Sequence, residues 1–146
     1  MWSPSSVGDV LLLESVQRNF TKKIPSLKYK PYFERLKATN LSTLELRRLY
    51  ADLTFCYKIL NGLVAGPPNK CGLTLANRKS RGNSFKLLIE HARVDVRKHF
   101  FGHRICGPWN SLPDDVVSAS SVASFKRLLS KCPMNNFLML NSEQDL

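Results

Sequence analysis

The chain has 146 residues and a mass of 16.6 kDa, enough for one compact domain with a real core and too short for most two-domain enzymes. Hydrophobic residues make up 43% and charged residues 23%, with seven glycines and eight prolines, which excludes a disordered or collagenous chain. The formal net charge is +11, and it is concentrated: residues 70 to 104 hold nine basic and two acidic side chains.

From Val10 to Ile24, apolar residues at Leu12, Val16, Phe20 and Ile24, with Leu13 beside them, form one stripe of an α-helix, and Arg18 and Lys22 land on the opposite side. Pro25 stops it. Pro31 then suits the first turn of a short helix through Tyr32, Phe33 and Leu36 that ends near Asn40. The next helix opens on a capping box, Ser42-Thr43-Leu44-Glu45, and stops at Asn61-Gly62. Its main apolar face is Leu46, Leu49, Leu53, Cys56, Tyr57 and Leu60. Phe55 and Ile59 point the other way, so this helix is either sandwiched inside the fold or waiting for another surface.

Residues 62 to 84 are rich in turn formers and read as a long loop with a short extended stretch at Leu73 to Leu75. Phe85 to Ile89 reads as a strand. Helical spacing returns from Arg97 to Leu112 through Phe101, Ile105, Trp109 and Leu112, with a kink or break expected at Gly107-Pro108. A last helix, Ser121 to Lys131, carries Val122, Phe125, Leu129 and Cys132 on one side and is stopped by Pro133. The expected fold is mainly α: a small single-domain helical bundle over 1–132 with a basic irregular middle (62–96), a short β element, and a poorly ordered tail at 133–146.

The longest apolar runs are four residues, against the roughly 20 that a membrane-spanning helix needs. No basic segment precedes the first run, and Asp9 and Glu14 bracket it, so no secretory leader is read here. The expected location is intracellular, cytoplasmic or nuclear, with no membrane partner. The four cysteines lack any C-x-x-C pair, which argues against a zinc ribbon or a disulfide framework. Cys56 and Cys132 lie on apolar stripes and are expected in the core.

Three stretches together resemble the C-terminal end of reverse transcriptases of LINE-type (non-LTR) retrotransposons. The first is Trp2-Ser3-Pro4 with Glu14-Ser15-Val16-Gln17-Arg18-Asn19-Phe20-Thr21, similar to the family's W-x-P and E-x-V-Q-R-x-F-T. The second is Tyr32, Arg35-Leu36 and Leu44-Glu45-Leu46-Arg47-Arg48, continuing through Asp52-Leu53 to Cys56-Tyr57-Lys58-Ile59-Leu60-Asn61-Gly62. The third is Arg81-Gly82, Arg97, Phe100-Phe101, Arg104, Trp109-Asn110-Ser111-Leu112-Pro113 and Ser124-Phe125-Lys126. The match runs in order from Trp2 to about Lys131. Gly107-Pro108 and residues 134 to 146 depart from it. The resemblance implies a fragment of an RNA-directed DNA polymerase whose catalytic aspartates would lie upstream of Met1.

No catalytic residue is expected and no cofactor. Asp114-Asp115, the one adjacent acidic pair, lacks the third carboxylate and the hairpin of a two-metal site and reads as a solvated turn. His99, His103 and Cys106 would share a face of an unbroken helix, a spacing that suits zinc, but Gly107 undermines the helix there, and histidines on a basic surface are the simpler reading. Trp109 has core spacing. The candidate nucleic-acid-binding residues are Arg78, Lys79 and Arg81 in a flexible donor-rich loop, with Arg93, Arg97, Lys98 and Arg104 extending the surface. The expected function is a noncatalytic fragment that binds RNA or single-stranded DNA. The alternatives are a helical module that docks on a protein or on itself through Phe55 and Ile59, and a decayed copy without selected function.

Overall fold

The computed structural model describes residues 3–65, 67–76, 83–89 and 94–140. Among them the chain is mainly helical, as expected, and none of its helices is long and apolar enough to cross a membrane. They gather into two compact units, Ser3–Leu49 with 134–140, and Tyr50–Pro133.

In the first unit, α1 (Val7–Lys22) starts where the Ser6 Oγ accepts the Asp9 N–H at 3.1 Å, satisfying one of the orphan donors of the first turn. It runs out one turn before Pro25, which opens a 3₁₀ turn, Pro25–Leu27. α2 (Tyr32–Thr39) follows Pro31 and ends at Asn40, whose φ of 52° places it in the left-handed region. The Leu41 N–H reaches back to the Leu36 carbonyl at 2.9 Å and closes that end.

The face that α1 buries differs from the apolar stripe of the sequence. Val10, Glu14, Gln17 and Thr21 are buried, while Leu12, Val16 and Phe20 are 68%, 67% and 66% exposed. The two stripes have the same helical period, so periodicity locates the helix without choosing its inner face. The polar stripe goes inside because every functional group on it finds a partner. The Tyr32 hydroxyl donates to Glu14 Oε1, Glu14 Oε2 accepts the Leu44 N–H, and Gln17 Nε2 donates to the Tyr32 hydroxyl and the Ser42 carbonyl, each at 3.0 Å. Thr21 Oγ1 donates to the Gln17 carbonyl at 2.9 Å.

Those contacts deliver the chain to α3 (Leu44–Leu60), whose first turns belong to this unit. The cap is shifted by one residue from the expected box. Thr43 Oγ1 accepts the Leu46 N–H at 3.2 Å, and Glu45, instead of reaching back to Ser42, accepts the N–H groups of Met139 (2.7 Å) and Leu140 (3.2 Å). Residues 134–140 of the expected loose tail are thereby packed, with Met134 and Leu140 buried and a 3₁₀ turn at Asn135–Phe137.

The second unit takes the rest of α3 and adds a 3₁₀ turn (Pro68–Cys71), α4 (Asp95–Lys98), α5 (Phe101–Arg104), α6 (Cys106–Asn110), α7 (Asp114–Val117) and α8 (Val122–Leu129). Leu53, Cys56, Tyr57, Ile105, Trp109, Phe125 and Leu129 are its centre, with the Tyr57 and Phe125 rings stacked 4.5 Å apart and Trp109 6.0 Å from Phe125. The helix expected over Arg97 to Leu112 is three short pieces. One break falls at Ile105, because Pro108 has no N–H to give the Arg104 carbonyl; Pro108 itself sits in the first turn of α6, where that loss costs nothing.

The two extended stretches of the sequence meet in an isolated antiparallel bridge, Leu75 to Leu87, where the Ala76 N–H donates to the Lys86 carbonyl at 2.8 Å and the Leu88 N–H to Thr74 at 2.7 Å. Gly102 stands so close to the 3₁₀ turn that a Cβ would lie 2.3 Å from the Gly72 carbonyl oxygen, which restricts the position to glycine. α8 starts at Ser121, whose Oγ accepts the Ser124 N–H at 3.1 Å.

Candidate nucleic-acid interface

Four of the seven cations expected to meet nucleic acid, Arg78, Lys79, Arg81 and Arg93, lie outside the described residues. Arg97 and Lys98 form the exposed end of α4. Arg97 also lines a recess of about 320 Å³ with Phe100, His103, Thr74 and Leu88, and the Phe100 ring is half exposed at its edge.

Arg104 has a different employment. Its Nη2 lies 2.7 Å and its Nε 3.2 Å from Oδ2 of the buried Asp52, its Nη1 donates to the His99 carbonyl at 3.1 Å, and the guanidinium stands over the Phe101 ring. It ties α5 to α3, and its charge is matched inside the unit.

The Trp109-Asn110-Ser111-Leu112-Pro113 stretch is a clasp. Trp109 is buried, as its spacing indicates, and its Nε1 donates to the Phe85 carbonyl at 2.8 Å. Asn110 takes both backbone groups of Leu87, accepting its N–H at 2.8 Å and donating to its carbonyl at 2.9 Å, as a neighbouring strand would. Asn83 Nδ2 donates to the carbonyls of Trp109 and Leu112, each at 3.1 Å. Pro113 leads into α7, and Asp114 Oδ1 accepts the Ser84 N–H at 2.7 Å and the Ser84 hydroxyl at 2.8 Å, bonds that hold its carboxyl below the usual range. The acidic pair is thus a helix start joined to a turn.

His99 lies between α4 and α5, and Cys106 Sγ donates to the Gly102 carbonyl at 2.9 Å. Among the described residues no three His, Cys, Asp or Glu side chains are grouped to hold a metal ion. Cys56 is buried as expected, and burial, with Cys106 and Asp52 adding to it, pushes its thiol far up. Cys132 is only half buried.

The second face of α3 proves to be core. Phe55 packs edge-on against Phe101 with ring centres 5.4 Å apart, and Ile59 is 3% exposed. Phe55 is half-buried against α5 and Ile59 is buried, so the pair does not form an open apolar face.

A cationic recess of the first unit, lined by Arg18, Lys22, Lys28, Lys30 and Arg35, escaped the sequence reading, which placed Arg18 and Lys22 only on the side of the helix opposite the apolar stripe. The Lys28-Tyr29-Lys30 triplet after Pro25 is the one sequence signal that pointed to it. Comparison with protein-family models, with curated proteins and with solved structures finds no match to this chain.

Proposed function

We propose that the chain is a noncatalytic, nucleic-acid-associated C-terminal region of a LINE-type retrotransposon reverse transcriptase. One observation carries the reading. Several residues of the resemblance are hydrogen-bonded in the interior: Glu14, Gln17 and Tyr32 to one another and Arg35 to the Arg18 carbonyl in the first unit, and Trp109 and Asn110 to the backbone of Phe85 and Leu87 in the second. The net charge of +11 and the exposed Arg97 and Lys98 support contact with a polyanion. Binding is assigned to the basic stretch that includes Arg78, Lys79, Arg81, Arg93, Arg97 and Lys98.

The test is a titration of labelled single-stranded RNA at several salt concentrations, with the wild type and an Arg78→Ala, Lys79→Ala, Arg81→Ala variant. The log–log salt slope is expected to flatten by roughly 2 if all three cations touch phosphates, at about 0.7 per contact. Equal slopes with unchanged circular dichroism would remove the loop from the interface. Primer extension by the purified protein with magnesium or manganese should stay at background, and template-dependent extension would overturn the noncatalytic assignment.

A further inference from the structure

We infer that the recess of the first unit between α1 and α2 is a nucleotide-phosphate site, with the ring of Tyr29 stacking on the base. It is built from residues other than those of the basic stretch above. The site stands on its own geometry, and only its use on a strand rests on the nucleic-acid reading.

The recess measures about 410 Å³, within the range of roughly 300–1,000 Å³ usual for small-molecule sites. Arg18, Lys22, Lys28, Lys30 and Arg35 line it, and among the described residues no carboxylate does. Two of these cations are held in an unfinished state. Arg35 is 5% exposed, its Nη1 donates to the Arg18 carbonyl at 3.2 Å, and its Nε is buried without a partner; Nε and Nη2 of Arg18 are likewise buried without partners. Both guanidiniums stand over one ring, 5.3 Å and 5.4 Å from the centroid of Tyr32, which fixes them in place. Buried charged donors left unmet are costly, and two like charges beside one ring add repulsion. An oxyanion with several acceptor oxygens relieves both, and planar guanidinium forks suit phosphate above other anions.

The mouth adds the rest of a nucleotide. Lys22, Lys28 and Lys30 are exposed around it. Tyr29 is 90% exposed, with the Lys28 Nζ 5.5 Å from its ring centre. A bare aromatic face beside a cationic groove is the arrangement that takes unpaired bases, because every base offers a π-face. An anionic membrane is the poorer fit, since the guanidiniums are recessed in a hollow rather than presented on a flat surface.

The test uses the full chain with three probes: inorganic phosphate and uridine monophosphate by calorimetry, and a labelled twelve-nucleotide oligouridine by anisotropy. The variants are Tyr29→Ala, Tyr29→Phe and the exposed set Lys22→Ala, Lys28→Ala, Lys30→Ala, with circular dichroism to confirm folding. Tyr29→Ala should weaken the mononucleotide and the oligonucleotide about tenfold and leave inorganic phosphate unchanged, with Tyr29→Phe restoring binding. The lysine set should weaken all three probes and lower the oligonucleotide salt slope by roughly 2. A wild type that binds phosphate and mononucleotide but not the oligonucleotide supports the site and overturns the polymer reading. Oligonucleotide binding that ignores all these variants and falls only with Arg78, Lys79 and Arg81 overturns the site and keeps the polymer reading. Attachment to anionic vesicles without mononucleotide binding overturns the site.

Discussion

Glu14 and Tyr32 share a buried hydrogen bond of 2.5 Å, and the second oxygen of the same carboxylate receives the Leu44 N–H at 2.9 Å. One side chain of α1 therefore fastens α2 and the start of α3. The acid at the start of α3 is well placed, since unmatched N–H groups there carry partial positive charge.

Tyr32→Phe removes the donor to Glu14 and the acceptor of Gln17 while keeping the ring, and should cost about 1–3 kcal/mol. Glu14→Leu should cost more, because it strands the Tyr32 hydroxyl and the Leu44 N–H together. Urea midpoints at constant slope measure both. A Glu14→Leu protein as stable as the wild type would refute the role given to the network.

The reverse holds for the outer stripe of α1. Leu12→Gln, Val16→Gln and Phe20→Gln, made together, should change stability by less than about 1 kcal/mol, since these side chains are already in water. Sedimentation should show less self-association in the variant than in the wild type if the stripe is sticky. Loss of folding in the triple variant would place the stripe in the core after all.

The Asp52–Arg104 pair makes a third expectation. Arg104→Ala leaves the Asp52 carboxylate buried and unmatched, which should cost on the order of 3 kcal/mol, whereas an Asp52→Asn, Arg104→Gln double variant should lose less than the sum of its single changes. A double-variant cycle with no coupling would show the pair to be incidental.

Alkaline pH should destabilise the protein. Burial, and after it the bond to Glu14, pushes the Tyr32 phenol above its ordinary 10.0, and burial pushes the Cys56 thiol above 9.0. In each case the folded chain keeps a proton that the unfolded chain releases, so the stabilisation is complete below the ordinary value and is lost as pH rises past it. Stability should begin to fall near pH 9, by up to about 1.4 kcal/mol per pH unit from Cys56 alone. Cys56→Ala should make that fall shallower without abolishing it, because burial also raises the Cys132 thiol above 9.0. An identical pH profile in the variant would exclude the thiol as its cause.

Helix existence was legible from the chain because caps and stops are local: Asn40, Ser121 and Pro25 act where their chemistry says. What a helix faces is not local. Leu12, Val16 and Phe20 announce a helix with an apolar side, yet Glu14 and Gln17 go inside because Tyr32, Ser42 and Leu44, far along the chain, complete their hydrogen bonds. Glu45 was read as a cap for the same reason, its real partners being 94 and 95 residues away. At the candidate sites, Arg97 and Lys98 are as exposed as basic residues usually are, while the tie between Arg104 and Asp52 spans 52 residues and leaves no local trace. The recess at Arg18 and Arg35 is formed by tertiary packing around Tyr32, which charge counting along the sequence has no means to register.

The amide clasps of the second unit set how this protein will age. Asn83 and Asn110 are each followed by serine, a pairing prone to spontaneous deamidation when the backbone is free to turn. Their hydrogen bonds to Trp109, Leu112 and Leu87 hold the side chains and slow that reaction in the folded state. Once it occurs, an aspartate at 83 would set a carboxylate against two carbonyl oxygens, and one at 110 would lose the donor to Leu87. Chemical damage at either position therefore accumulates in unfolded molecules and keeps them from refolding.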